Sequence, residues 1–131
     1  LDEDNQVYLI DYGQAEKYNL PDGSHRLNVE VIQYGNPHFC SKNVHHNLTL
    51  SRRDDLIQVI TISYAWLILL AGQDLLGHDP ENELFIEFKR DESAKEFCQF
   101  NDTPYLKEVL EECYEMKYEE APNYSKIIFL L

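Results

Sequence analysis

Val7 to Ile10 is a run of four apolar residues, rich in β-formers and closed by Asp11 and Gly13, the pattern of a short buried strand. From Gln14 to about Leu50 no hydrophobic period persists. Two turn signals punctuate that stretch, Pro21-Asp22-Gly23 and Gly35-Asn36-Pro37. A connection of roughly 35 residues without a clear element is too long to be idle in a compact domain, and such loops are usually functional or disordered. Then comes SRRDDLIQVITISYAWLILLAG, starting at Ser51. Ser51 with Asp54 three residues on reads as a capping box, and the pair Asp54-Asp55 suits the positive end of a helix. Ile57 to Ala71 is apolar almost all round, with Gln58, Thr61, Ser63 and Tyr64 interrupting, and Gly72 ends it. The run falls short of the about 20 apolar residues a membrane span needs. A helix apolar on every side is predicted to be central and wrapped by the rest of the fold, with Tyr64 and Trp66 in the core.

Residues 73–102 carry no readable period, although Phe85, Phe88, Phe97 and Phe100 hint at short amphipathic pieces. Thr103-Pro104 offers a helix start, with Thr as cap and Pro at the first position. Leu106, Val109, Leu110, Cys113 and Met116 keep a 3.6-residue rhythm, and Glu108, Glu111, Glu112 and Glu115 fall off that face as its solvated side. Ala121-Pro122-Asn123 breaks the helix, and Tyr124 to Leu131 begins another apolar element. The fold class is mainly α.

At 131 residues, 44% hydrophobic and 27% charged, the chain is one domain's worth with enough apolar side chains for a core. Its formal net charge of −13 opposes direct binding to nucleic-acid phosphates or anionic membranes, which require Lys and Arg, and leaves proteins as the expected partners. Cys40, Cys98 and Cys113 are odd in number and widely spaced, against a disulfide framework or zinc site and in favour of a reducing compartment, cytoplasm or nucleus. No signal peptide is visible, but the first residue is Leu, so the chain reads as a piece of something longer. The sequons at Asn47, Asn101 and Asn123 are read as chance. His38, His45 and His46 lack acidic or Cys partners at ligand spacing, and Cys40 beside His38 has no orienting third group; neither constellation argues for metal or nucleophilic chemistry.

A strand delivering Asp and Gly into a long punctuated loop, followed by Ser51-Arg52-Arg53 and a buried helix, resembles the C-terminal lobe of a protein kinase from its metal-binding Asp-Phe-Gly element onward. Among kinases it is most similar to the vaccinia-related kinases of the casein kinase I group, which write the element as Asp-Tyr-Gly, as at residues 11–13 here. KYEEAPNY, from Lys117 to Tyr124, resembles that group's C-terminal segment. The resemblance runs from about residue 6 to 72 and again from 104 to 131. It implies that residues 1–131 are a partial kinase domain. Asp11 would hold a Mg²⁺ bridging ATP phosphates, Gly13 would let the backbone turn, and residues 14 to about 43 would form the activation segment. Asp55 would accept hydrogen bonds from the backbone of the catalytic loop and so support it.

The departures are equally specific. A kinase needs a glycine-rich loop, a strand lysine and a His-Arg-Asp catalytic loop, and none occurs here. His25-Arg26-Leu27-Asn28 is a decoy: it follows Asp11 where the family's loop precedes it, and it has Leu where the base should stand. Gly35-Asn36 replaces a Gly-Thr, Gln58-Val59-Ile60 replaces a Ser-Leu-Gly, and the Leu-Pro-Trp after the buried helix is lost, with Leu75-Leu76 nearby. Two readings stay open. One is the C-lobe portion of a serine/threonine kinase, completed by an N-lobe and catalytic loop in the same or another chain and acting on a protein substrate. The other is a catalytically inactive, pseudokinase-like scaffold or allosteric partner. No catalytic residue is expected in this chain, nor any ATP or Mg²⁺ bound by it alone.

Overall fold

The computed structural model describes residues 8–30, 36–70, 89–90, 92–101 and 103–131, without the side chains of 66–70, 100 and 101. The expectations placed on Val7, Gly35, Gly72, Leu75, Leu76, Phe85 and Phe88, and on the side chains of Trp66 and Phe100, lie outside that description. The described residues are mainly helical: α1 (Lys42–His45), α2 (Arg52–Leu70), α3 (Ala94–Asn101), α4 (Lys107–Glu115) and α5 (Tyr124–Leu130). Two isolated antiparallel bridges, Asn19 with His25 and Glu30 with Leu48, are the β pairing among them.

The core gathers where α2, α3, α4 and α5 meet. Ile57, Ile60 and Tyr64 of α2 pack with Phe97 and Cys98 of α3, with Val109, Leu110 and Cys113 of α4, and with Ile127 of α5. Tyr64 and Phe97 meet edge to face, ring centroids 5.8 Å apart. The rhythm read from Leu106 to Met116 holds, since all five apolar positions are buried. Their off-face carboxylates face outward and take cations: Glu111 pairs with Lys107, and Glu112 with Lys126.

The helix starts show how local chemistry sets boundaries. Ser51 precedes α2, and its N–H donates to Asp54 Oδ2 at 2.8 Å, half of the expected capping box. Before α3, Ser93 N–H donates to Glu96 Oε2 at 2.9 Å and Glu96 N–H donates to Ser93 Oγ at 3.3 Å, a full reciprocal box. Asn123 caps α5, its Oδ1 accepting from the Lys126 N–H. The Thr103-Pro104 start differs from expectation. Pro104 opens a 3-10 turn, Pro104–Leu106, before α4, and Thr103 makes no side-chain cap bond. Thr103 is buried and its N–H is committed to the Cys98 carbonyl, so its side chain is enclosed in packing instead of free at a helix mouth.

Two further expectations are corrected. Tyr8, Leu9 and Ile10 form no strand and are exposed, Ile10 by 77%. A β run needs a neighbouring edge, and residues 8–10 join no ladder or bridge among the described residues. Among the described residues helix α2 is packed along one stripe: Ile57, Ile60, Thr61, Tyr64 and Ala65 are buried, whereas Asp55, Val59 and Ser63 stand exposed one turn apart, Val59 by 55%. The all-round apolar character of this helix therefore exceeds what the described residues cover.

The segment between is held by side chains. The turn over Pro21-Asp22-Gly23 forms as expected, with Gly23 at φ +86° and Asp22 Oδ1 accepting from the Ser24 N–H and hydroxyl. His25 sits between Tyr18 and Tyr118, Arg52 stacks its guanidinium 4.2 Å from the Tyr18 ring centre, and Arg26 pairs with Glu16. These contacts fasten the loop to the start of α2 and to the C-terminal segment.

Candidate functional site

Asp11 adopts a left-handed conformation, φ 60°, which a short polar side chain tolerates better than most. Its Oδ1 accepts from the Gly13 N–H at 3.3 Å and caps a single 3-10 turn, Tyr12–Gln14. A Cβ at position 13 would lie 3.2 Å from that same oxygen, so glycine permits the approach. Asp11 and Tyr12 are exposed, and the carboxylate projects from the body of the protein. The structure thus joins Asp11 to Gly13. It links neither to Asp55 by hydrogen bond or ion pair among the described residues.

Asp54 and Asp55 are neighbours with opposite surroundings. Asp54 is 2% exposed and is a hub: its Oδ1 accepts from the Ser41 hydroxyl and the Asn43 amide, both at 2.6 Å, and its Oδ2 accepts from Ser51 N–H with Arg53 Nε at 3.7 Å. It ties the loop before α1 to the start of α2. Asp55 faces outward beside Val59 and Ser63. Lost hydration at the crowded helix start, then the adjacent Asp54 charge, push its carboxyl above the ordinary range. Sequence reading singled out Asp55 and missed Asp54 beyond its capping role. A signal existed in the hydrogen-bonding residues Ser41 and Asn43, but nothing in spacing alone brings residues 41 and 54 together.

Two other polar knots surround that loop. Cys40 Sγ lies 3.3 Å from His45 Nε2, and both approach the Pro37 carbonyl. The histidine that meets Cys40 is His45 and not the sequence neighbour His38, because the first turn of α1 folds residue 45 back over residue 40. Burial pushes the Cys40 thiol up to about 11 and pushes the His45 imidazole down. The pair is a neutral thiol and a neutral imidazole, a packed structural contact with little nucleophilic power near neutral pH. Beside it, Lys89 Nζ donates to Glu92 Oε2 at 2.7 Å and the Tyr114 hydroxyl donates to the same oxygen at 2.6 Å, with Lys89 and Glu92 buried. Burial and the Glu92 charge push the Tyr114 hydroxyl well up, so it remains a donor. His46 Nε2 lies 3.0 Å from the Arg90 carbonyl, and Arg90 Nε donates to the His45 carbonyl, closing the loop onto residues 89–90. Among the described residues no group of three or more His, Cys, Asp or Glu could hold a metal, and no helix is long and apolar enough to cross a membrane.

This arrangement is a loop held by hydrogen bonds to a mainly helical body beside an exposed Asp-x-Gly turn. The chain is similar over most of its length to casein kinase 1-like and poxvirus serine/threonine kinases. A probable serine/threonine-protein kinase of fowlpox virus is 29% identical over 133 residues, 95% of this chain and 42% of that protein. A casein kinase 1-like protein of Oryza sativa is 28% identical over 98% of this chain and 18% of its own length. A probable casein kinase I homolog of Encephalitozoon cuniculi is 28% identical over 97% of this chain and 42% of its own length. The chain thus spans less than half the length of these relatives. Their similarity also takes in residues 73–103, which motifs alone left unaligned. No protein-family model matches the chain.

Proposed function

We propose that residues 1–131 are the C-lobe portion of a serine/threonine protein kinase of the vaccinia-related type, transferring phosphate from Mg-ATP to a protein once an N-lobe and catalytic loop complete it. The observation that carries this reading is the Asp11-Tyr12-Gly13 turn, a carboxylate held outward by its own bond to the glycine N–H. Asp11 fits a Mg²⁺ as one oxygen ligand of several, since this hard cation keeps waters and shares phosphate oxygens. When bound, the ion would neutralise charge on the phosphates. Exposed Asp55 and Val59 fit a helix surface that receives the missing catalytic loop, with Asp55 accepting from its backbone.

The second reading, a catalytically inactive scaffold, is favoured by Gly35-Asn36 and by the missing Leu-Pro-Trp. A radiolabel transfer assay on the completed protein separates the two. Under the kinase reading the wild type labels a generic protein substrate, and Asp11→Asn abolishes labelling while the protein stays folded. Equal labelling by both proteins removes Asp11 from the metal role; a silent wild type across metals and substrates favours the scaffold. The 131-residue chain alone is expected to show no micromolar affinity for Mg-ATP by calorimetry.

A further inference from the structure

Residues 36–46 are held to the body at two ends of unlike chemistry. At one end the Asp54 carboxylate accepts from the Ser41 hydroxyl and the Asn43 amide. At the other, the end of α1 closes onto residues 89–90: Arg90 Nε donates to the His45 carbonyl at 3.1 Å, and His46 Nε2 donates to the Arg90 carbonyl at 3.0 Å. His45 stands at the centre of that second end. Its half-buried ring lies with Nε2 3.2 Å from the Pro37 carbonyl and 3.3 Å from Cys40 Sγ, so one imidazole joins the start of the loop to its finish. The charged groups that face this ring are cationic. Lys89 and Arg90 act on it from the segment before α3, and His46 from the next position along the chain. The acids nearby are committed elsewhere: Glu92 is bound by Lys89 and the Tyr114 hydroxyl, and Asp54 by Ser41, Asn43 and Ser51. Lys42, one turn earlier in α1, lies over the Tyr114 ring. Burial keeps the Cys40 thiol neutral, so it offers an imidazolium no counter-charge. Among the described residues no carboxylate bonds or pairs with His45.

We propose that His45 is an acid-sensitive catch: neutral, it closes residues 36–46 onto residues 89–90, and protonated, it releases them. An imidazolium at this place gives up water and adds a further positive charge beside Lys89 and Arg90. Lost hydration is the largest influence on the ring and pushes its protonation to lower pH; the Pro37 carbonyl offsets part of this, and Lys89, Arg90 and His46 add to it. In the released loop the ring is hydrated and takes its proton at about 6.5. The closed form therefore weakens as pH falls from about 6.5, and the loss levels off once the closed form is itself protonated. His46 does not serve as the sensor. It is exposed, and its Nε2–H donates to the Arg90 carbonyl whether the ring is neutral or charged. The inference stands apart from the phosphoryl-transfer reading.

The test is amide hydrogen exchange of the 131-residue chain by NMR at about pH 7.5 and about pH 5.5, each rate divided by the intrinsic rate at that pH. Phe39, Cys40, Val44 and His46, whose N–H groups bond within the loop, should lose protection several-fold at the lower pH. Leu110 and Cys113, buried in α4, should hold theirs. His45→Gln keeps an N–H donor for the Pro37 carbonyl and cannot titrate, so it should abolish the response. His46→Gln should leave the response in place. Arg90→Gln removes one repelling charge while still offering an N–H to the His45 carbonyl, and should reduce it. Unchanging protection in the wild type, a loss shared equally by α4, a response that survives His45→Gln, or one that disappears with His46→Gln would overturn the inference. So would a titration of the His45 ring, followed by its proton shifts in the wild type, with a midpoint at or above about 6.5. That measurement decides the matter if His45→Gln does not fold.

Discussion

The helical body and the N-terminal stretch contain similar side chains and treat them in opposite ways. Ile57, Val109 and Leu110 are shut inside, whereas Leu9, Ile10 and Leu27 are among the most exposed apolar residues of the chain. The same split runs through adjacent carboxylates: Asp54 is enclosed by donors, and Asp55 looks outward. Helices satisfy their own backbone and need a partner only for one stripe, so α2 to α5 can complete a core among themselves. A strand must borrow its hydrogen bonds from a neighbour. Residues 8–10 join no ladder among the described residues, and their side chains are exposed.

The widest separation between the two regions should come from the buried hub. Asp54→Ala strands the Ser41 hydroxyl, the Asn43 amide and the Ser51 N–H together, and should cost about 3–5 kcal/mol in urea unfolding. A loss below about 1 kcal/mol would mean that water replaces the carboxylate and the hub is not buried. Next in size, Leu110→Ala should cost about 2–5 kcal/mol through lost burial and the cavity left behind. Its counterpart Ile10→Ala should stay within about 0.5 kcal/mol of wild type. Similar losses at positions 110 and 10 would break the contrast and show that the N-terminal stretch is packed.

A smaller effect, opposite in sign, is expected at Asp55. Its carboxyl is raised in the fold, so the folded state holds its proton to higher pH than the unfolded chain does. Stability then falls as pH rises through that interval, because the charge must be carried where lost hydration at the crowded helix start and Asp54 oppose it. Asp55→Asn should therefore raise the thermal midpoint at neutral pH, with the gain shrinking as the pH falls below the ordinary Asp range. A lower midpoint at neutral pH would show that the charged form has a partner. Smallest of all, Asp11→Asn should leave the midpoint of the 131-residue chain unchanged in differential scanning calorimetry, since the side chain is exposed and its bond to Gly13 N–H needs only an oxygen. A clear shift would tie the N-terminal turn to the stability of the body.

Much of the body was legible before any coordinates. The α4 stripe from Leu106 to Met116, the Ser51–Asp54 start of α2 and the turn at Asp22-Gly23 are products of near-neighbour chemistry, and all appear; the helix expected to run to Ala121-Pro122-Asn123 instead ends at Glu115, with Met116 extended. The start of helix α3 is equally a matter of near neighbours: Ser93 and Glu96 spell a capping box in a segment without a hydrophobic period. The Asp-x-Gly turn was legible as well, because the pairing of Asp11 with Gly13 spans two residues.

The sequence by itself determined the helical class, the periodic core stripe and the local caps, since each depends on residues within about four positions of one another. Tertiary structure alone decided that Asp54 and not Asp55 is the buried carboxylate, that Cys40 meets His45, that Glu92 gathers Lys89 and Tyr114, and which side of α2 the described residues cover. Those outcomes depend on which distant segment arrives at each surface. An apolar residue such as Val59 or Ile10 carries the same preference for burial whether or not a partner is there to cover it. The geometry of the whole fold settles which of them stay in water.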